Sequence, residues 1–196
     1  MKSFGWLGRF AVAAIAALLS GCLVASAPVY PGDMSDLPDT PVLIDEKTAK
    51  GRMKMRLPEG WKPANMPSHA SNWSAEISGA YEKDMGSGSA ELVVTCYTSF
   101  ISKDGVAEAL RDALDPRAVK AMGPYLVDGP SMLDPEFELY DLEIINEGKK
   151  WPMSILIAWK LDSGVGGCKY GLQMAGMRWH KQQMLKDMLA ILKTLS

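Results

Sequence analysis

The stretch of sequence that decides the fold is 137–161, FELYDLEIINEGKKWPMSILIAWKL. Its two arms, 137–145 and 151–161, are rich in β-branched and aromatic residues, and the turn-forming residues 146–148 (NEG) stand between them. This order predicts two antiparallel strands joined as a hairpin.

The rest of the chain predicts further strands and two helices around this hairpin. Ser102 is placed to cap a helix, whose apolar residues recur at helical spacing as far as Leu114, and 117–122 is expected to add a short second turn. A wide apolar face predicts a closing helix over 177–195. Further strands are expected at 52–57, 73–82, 90–100 and 168–175.

This order predicts an α+β domain over 49–196, with a mostly antiparallel six-stranded sheet and two main helices packed on it. The corner Pro58-Glu59-Gly60-Trp61 and the closing Ile191-Leu192-Lys193-Thr194-Leu195 resemble the PsbP-like fold, which includes DcrB-type bacterial lipoproteins. The resemblance implies a binding or adaptor protein of the cell envelope.

The first residues read as an export signal. Lys2 and Arg9 precede 10–19 (FAVAAIAALL), an uncharged run too short to span a membrane and of the right length for a signal peptide over 1–21. The next residues, Leu19-Ser20-Gly21-Cys22, resemble the bacterial lipobox. That resemblance implies that Cys22 carries lipid chains, including palmitate, and anchors the protein to a membrane.

The resemblance also bears on location. Leu23 follows Cys22 where an Asp would retain an enterobacterial lipoprotein at the inner membrane, so we expect the periplasmic face of the outer membrane. Residues 22–48 contain four prolines and predict an extended tether. The alternative is an ordinary secretory signal, cleaved at Ala25-Ser26-Ala27.

Two cysteines remain in an oxidising compartment. Alternation places Cys96 and Cys168 each on the apolar side of a strand, which predicts a disulfide between them. Two buried thiols that never meet are the alternative. A redox or metal role is not expected because there is no C-x-x-C pair.

Composition argues against several functions. With 21 basic and 23 acidic residues and a formal net charge of −2, the chain has no basic excess for nucleic acid. It also lacks a phosphate-binding loop and a Gly-x-Ser-x-Gly motif. We therefore expect no enzymatic activity and no cofactor.

Two groups of residues allow both a functional and a structural interpretation. Glu136, Glu138, Asp141 and Glu143 could form an acid–base pair for a cell-wall hydrolase, but an acidic edge strand explains them as well. Met66 and His69, with Met53 and Met55, could bind copper(I), although methionine more often fills gaps in a core. His180 is expected at the surface.

The tryptophans suggest where a partner could bind. Trp61, Trp73 and Trp151 lie at strand ends or loop edges, where aromatic rings often line a surface for a ligand or a partner. A core position is the alternative for each, and it is the expectation for Trp159. The sequence thus predicts a lipid-anchored binding or adaptor protein with an envelope partner, and as its alternative a carrier of a small ligand or copper.

Overall fold

The computed structural model describes residues 37–47, 52–65, 75–98, 101–126, 136–161 and 169–195. Within them, nine strands and two helices form an α+β fold. The strands are β1 (Val42–Lys47), β2 (Arg52–Leu57), β3 (Trp61–Pro63), β4 (Ala75–Asp84), β5 (Ser89–Tyr97), β6 (Val119–Leu126), β7 (Glu136–Asn146), β8 (Lys149–Leu161) and β9 (Lys169–Met177). The helices are α1 (Lys103–Asp112) and α2 (Lys181–Thr194), and a 3₁₀ turn, Arg178–His180, leads into α2.

Seven strands form one antiparallel sheet in the order β3-β4-β5-β9-β8-β7-β6, and β1 and β2 pair in a separate two-stranded sheet. The predicted hairpin is confirmed, with Asn146 opposite Lys149 and Glu136 opposite Trp159. The expected six strands are corrected to seven. The strand 52–57 belongs to the small sheet, while β3 and β6 were missing from the prediction.

The strand β6 replaces a predicted helical turn over 117–122. Its pairing with β7 is irregular around Met122 and Tyr125, where Gly123 has a φ of +103° and Pro124 follows in a cis peptide. Proline and an irregular backbone are tolerated at the edge of a sheet, because an edge strand needs hydrogen bonds on one side only. A Gly-Pro pair of this kind hides a strand from sequence patterns.

Each face of the large sheet carries its own apolar cluster, because side chains alternate along the strands. On one face, Leu156, Leu172 and Leu92 pack with α2 and with the buried side of β2. On the opposite face, Ile157 and other apolar residues of the sheet pack with α1. We call these the α2 face and the α1 face.

The helix α1 begins as predicted. Ser102 is the N-cap, and its Oγ accepts a hydrogen bond from the Gly105 backbone N–H at 3.0 Å. The helix ends at Asp112, and its buried residues Val106, Ala107 and Leu110 form the stripe that contacts the sheet. At ten residues, it covers only part of the α1 face.

The corner Pro58-Glu59-Gly60-Trp61 holds α2 in place. Gly60 has a φ of +90°, which glycine adopts readily, and the corner turns Trp61 into the core. Trp61 Nε1 donates a hydrogen bond of 2.8 Å to the carboxylate of Asp187, a fully buried residue of α2. Lys83 Nζ donates to the same oxygen at 2.8 Å, so one carboxylate fixes α2 against β3 and β4.

Two predicted boundaries lie differently in the structure. The expected tether, 22–48, overlaps β1, whose residues 42–47 pair with β2 in continuous register. The closing helix begins at Lys181 rather than near 177, after the 3₁₀ turn. Among the described residues, no helix is long and apolar enough to cross a membrane.

Candidate functional site

Of the three tryptophans expected at a surface, the two that the structure describes lie in different environments. Trp61 is only 4% exposed and is bonded to Asp187, so it belongs to the core. Trp73 lies outside the described residues. Trp151 is 38% exposed, and Trp159 is buried as expected. Of the two predicted surface tryptophans that the structure describes, Trp151 is the one that a partner could reach.

Trp151 lies on the α1 face, at the end of the sheet that α1 leaves uncovered. It is opposite Ile144, and the half-buried residues Met153, Ala175 and Val93 extend the apolar surface across β8, β9 and β5. We call these five residues the open face. No element among the described residues covers them as α2 covers the opposite face.

Next to the open face, α1 is fixed by a buried carboxylate. Glu138 on β7 is fully buried. Arg111 of α1 donates two hydrogen bonds to it, from Nε and from an Nη, each at 2.9 Å. Lys120 Nζ also donates to it, and Tyr140 OH donates at 2.7 Å. The Arg111 guanidinium lies 5.5 Å from the ring centroid of Trp159.

Burial alone would raise the pKa of Glu138. The hydrogen bonds from Arg111, Lys120 and Tyr140 outweigh that cost and lower the pKa to about 2. Burial, and to a smaller extent the hydrogen bond to Glu138, raises the pKa of Tyr140 to about 12. Glu138 is therefore a fixed anion that anchors α1 and β6, and its low pKa does not suit a general acid at neutral pH.

The acidic strand differs from its prediction in two ways. It was expected at an edge, but β7 lies between β8 and β6. Because β7 keeps an uninterrupted register with β8, Glu138 points to the α1 face and Asp141 to the α2 face, where Asp141 lies within 4 Å of both Arg178 and Lys181. The two carboxylates thus cannot form the acid–base pair of a hydrolase.

A contact that the sequence did not indicate joins the β4–β5 turn to the start of α2. Ser87 Oγ lies 3.2 Å from His180 Nε2, and Trp179 Nε1 donates to Ser87 Oγ at 3.1 Å. A serine nucleophile also needs a group that orients the second imidazole nitrogen. Within the described ranges, nothing is hydrogen-bonded to Nδ1 of His180. We therefore interpret the contact as a structural link between the β4–β5 turn and the start of α2.

The copper site considered as an alternative has no support in the described part of the chain. Met53 and Met55 are fully buried core residues of β2, as the gap-filling alternative expected, and Met66 and His69 lie outside the described residues. No group of three or more His, Cys, Asp or Glu in the described ranges is arranged to hold a metal ion.

The fold and this surface define the class of molecule: a layered α+β protein in which the described elements cover one sheet face only partly. No family model matches the chain, and no curated protein does. Among solved structures, the chain is similar to LpqN, a protein involved in cell envelope biogenesis of Mycobacterium tuberculosis. The identity is 11% and the TM-score 0.43, with 74% of this chain and 82% of LpqN covered. We draw no functional inference from this likeness, and the PsbP-like resemblance stays a prediction.

The structure describes Cys96 but not Cys168, so it does not test the predicted disulfide directly. Cys96 is fully buried on β5, on the α2 face, and Cys168 lies outside the described residues. Their chain neighbours Tyr97 and Lys169 lie opposite each other in the register of β5 and β9. Cys96 itself lies opposite Tyr170, so the pairing of Cys96 with Cys168 stays a prediction.

We predict that peptide mapping of the exported protein without reductant recovers Cys96 and Cys168 in one linked pair. Replacing both with alanine should lower the free energy of unfolding by about 4 kcal/mol, because the bond closes a loop of roughly 70 residues. Unreduced wild-type protein in which both thiols react with an alkylating reagent after denaturation would contradict the pairing.

The low pKa of Glu138 predicts how stability depends on pH. The folded-state pKa of about 2 lies below the ordinary value of 4.5, so the stabilisation is complete above pH 4.5 and is lost as the pH falls towards 2. The Glu138→Gln variant should be less stable at pH 7 by about 2 to 3 kcal/mol, since Arg111 and Lys120 are partly exposed to solvent.

The measurement is urea unfolding of both proteins from pH 7 to pH 2. The difference between them should shrink as the pH falls. The control is Glu108→Gln, which changes an exposed carboxylate of α1 and should match the wild type at every pH. A difference that is the same at pH 2 and pH 7 would refute the role assigned to Glu138.

Proposed function

We propose that this chain is a lipid-anchored, non-enzymatic binding module of the bacterial cell envelope, held at the periplasmic face of the outer membrane. It acts as an adaptor that presents the open face to a protein partner. The observation that carries the proposal is the unequal covering of the sheet. The helix α2 and the strand β2 pack across one face, while α1 covers only part of the other.

The chemistry of the open face supports a protein partner. Val93, Ala175, Met153 and Ile144 form a half-buried apolar surface, and Trp151 lies at its edge. Tryptophan contributes a large apolar area with few rotatable bonds, and it is among the residues that most often dominate binding energy at interfaces. A small ligand, by contrast, is usually bound in a concave pocket that surrounds most of its surface.

The lipid anchor supports an envelope location. The lipobox at Leu19-Ser20-Gly21-Cys22 provides the site of lipidation, and several acyl chains on Cys22 hold a protein at a membrane far more firmly than one chain does. An anchored domain also meets its partner at a raised effective concentration. A modest affinity of the open face is then sufficient.

We expect Cys22→Ser to move the protein from the membrane fraction to the soluble fraction of the envelope, because the thiol that receives the lipid is absent. Wild-type chain grown with an alkyne-tagged fatty acid should carry the tag, and the variant should not. Ala27→Leu, which blocks the alternative secretory cleavage site, serves as the control and should leave tagging intact. An untagged wild-type protein would disprove the anchor.

The adaptor role is tested with a photo-crosslinking amino acid in the full chain within cells. Placed at Met153 on the open face, it should give one defined protein adduct, whereas at Lys54, an exposed position on β2, it should not. The purified partner should then bind Trp151→Ala about 30-fold more weakly than wild type, the scale of a tryptophan hot spot. Equal affinity for both proteins would rule out the open face as the binding surface.

A further inference from the structure

Two exposed carboxylates border the open face. Glu82 on β4 and Glu91 on β5 are directly opposite each other in the antiparallel register, and Glu91 is also opposite Ala175 of the open face. Both point to the α1 face, because their neighbours Tyr81 and Leu92 belong to the core of the α2 face. We call these two residues the acidic pair.

Like charges directly opposite each other in a sheet repel and destabilise the strand pairing. A nearby cation would offset this cost, and Lys62 lies opposite Glu82 on β3. Yet neither member of the acidic pair forms an ion pair or a hydrogen bond through its side chain within the described ranges. Lys62 thus lies beside Glu82 on the neighbouring strand without forming an ion pair with it, and within the described ranges no cation is bound to either carboxylate.

A shallow cavity of about 200 Å³ adjoins the acidic pair. Ala80 and Val93 contribute to its lining with apolar side chains, and Glu82 and Glu91 contribute carboxylates. This combination suits a long side chain with an aliphatic stem and a positive end, since lysine and arginine bury their stems on apolar surface and keep the charge at the rim.

The molecule itself shows how a helix binds this face of the sheet. The helix α1 packs Val106 and Leu110 on the apolar cluster, while its Arg111 reaches the carboxylate of Glu138. The open face offers a second apolar surface and the acidic pair a second site for a cation. The open face and the acidic pair therefore offer a similar combination of apolar surface and negative charge, with Glu82 and Glu91 exposed where Glu138 is buried.

There is room for a second helix. The strand β8, with thirteen residues at about 3.3 Å each, is roughly 43 Å long, and a helix with its side chains is about 10 to 12 Å across. The helix α1 contacts β8 and β9 towards one end of these strands, so the described part of the α1 face can accept another helix across the other end.

We infer that the partner docks through an amphipathic helix whose apolar side packs on the open face and whose Lys or Arg is held between Glu82 and Glu91. This inference rests on the adaptor function proposed above and adds the chemistry of the partner segment. The stem of the cation lies on Ala80 and Val93, and its charge lies between the two carboxylates.

The test uses the full chain and two synthetic helical peptides of 18 residues. Both present leucine on one side, and they differ in carrying either lysine or glutamate along the edge of that side. Fluorescence anisotropy in low salt should show binding of the lysine peptide and at least tenfold weaker binding of the glutamate peptide. High salt should weaken the lysine peptide selectively, because exposed charges are screened.

Variants separate a local contact from general attraction to an acidic protein. Glu82→Gln with Glu91→Gln should weaken the lysine peptide about tenfold. The control, Glu46→Gln with Glu59→Gln, removes the same amount of charge from two exposed positions away from the open face and should stay within twofold of wild type. Trp151→Ala should also weaken the peptide.

The outcomes distinguish the two proposals. If Trp151→Ala weakens the lysine peptide while the change at Glu82 and Glu91 equals the control, the cationic helix is wrong and the open face remains a binding surface. If neither peptide binds, or both bind equally well, the inference is overturned. The cross-linking experiment at Met153 then decides the adaptor function independently.

Discussion

Period-two alternation in the central strands is the constraint on which the rest of the structure depends. In β8, Leu156 and Ala158 point to one face of the sheet, while Ile155 and Ile157 point to the other, and all four are buried. A strand that is apolar on both sides must be covered on both sides. The two helices and the small sheet are the means by which the chain covers it.

The elements that pack on the two faces of the large sheet differ in extent. On the α2 face, the fourteen residues of α2 act together with β2, whose Met53, Met55 and Leu57 are fully buried. On the α1 face, the ten residues of α1 cover one end of the sheet. At the other end, apolar residues stay half-buried among the described elements, and covering them would contribute further hydrophobic free energy.

Much of the fold was predictable because its signals are local. The hairpin β7–β8, the strand β2 and the Ser102 cap follow from alternation, turn residues and capping chemistry within a few neighbouring positions. The strand β6 was not predictable in this way. Its Gly123-Pro124 pair breaks the pattern locally, and only pairing with β7, settled by tertiary contacts, makes it a strand. The small strand β3 is three residues long and carries too little pattern to detect.

The open face and the acidic pair were harder to predict from the sequence, because they depend on which residues face each other across strands. The isolated residues Glu82 and Glu91 carry no motif, and their opposition appears only once the β4–β5 register is known. Trp61 and Trp151 occupy similar positions at strand ends, yet one is bonded to Asp187 in the core and the other is exposed. The difference comes from α2, which brings its buried carboxylate to one ring and not to the other.

Both helices are fixed to the sheet by the same device, a buried carboxylate paired with a cation. For α1 the carboxylate is Glu138 on the sheet and the cation is Arg111 on the helix. For α2 the arrangement is reversed, with Asp187 on the helix and Lys83 on the sheet. Such pairs contribute little net stability, but an unpaired charge there would be costly, so they select one docking position over its neighbours. The same reasoning applies at an interface: the acidic pair would contribute specificity, by rejecting helices that lack a cation at the right position, while the apolar residues and Trp151 would contribute most of the affinity.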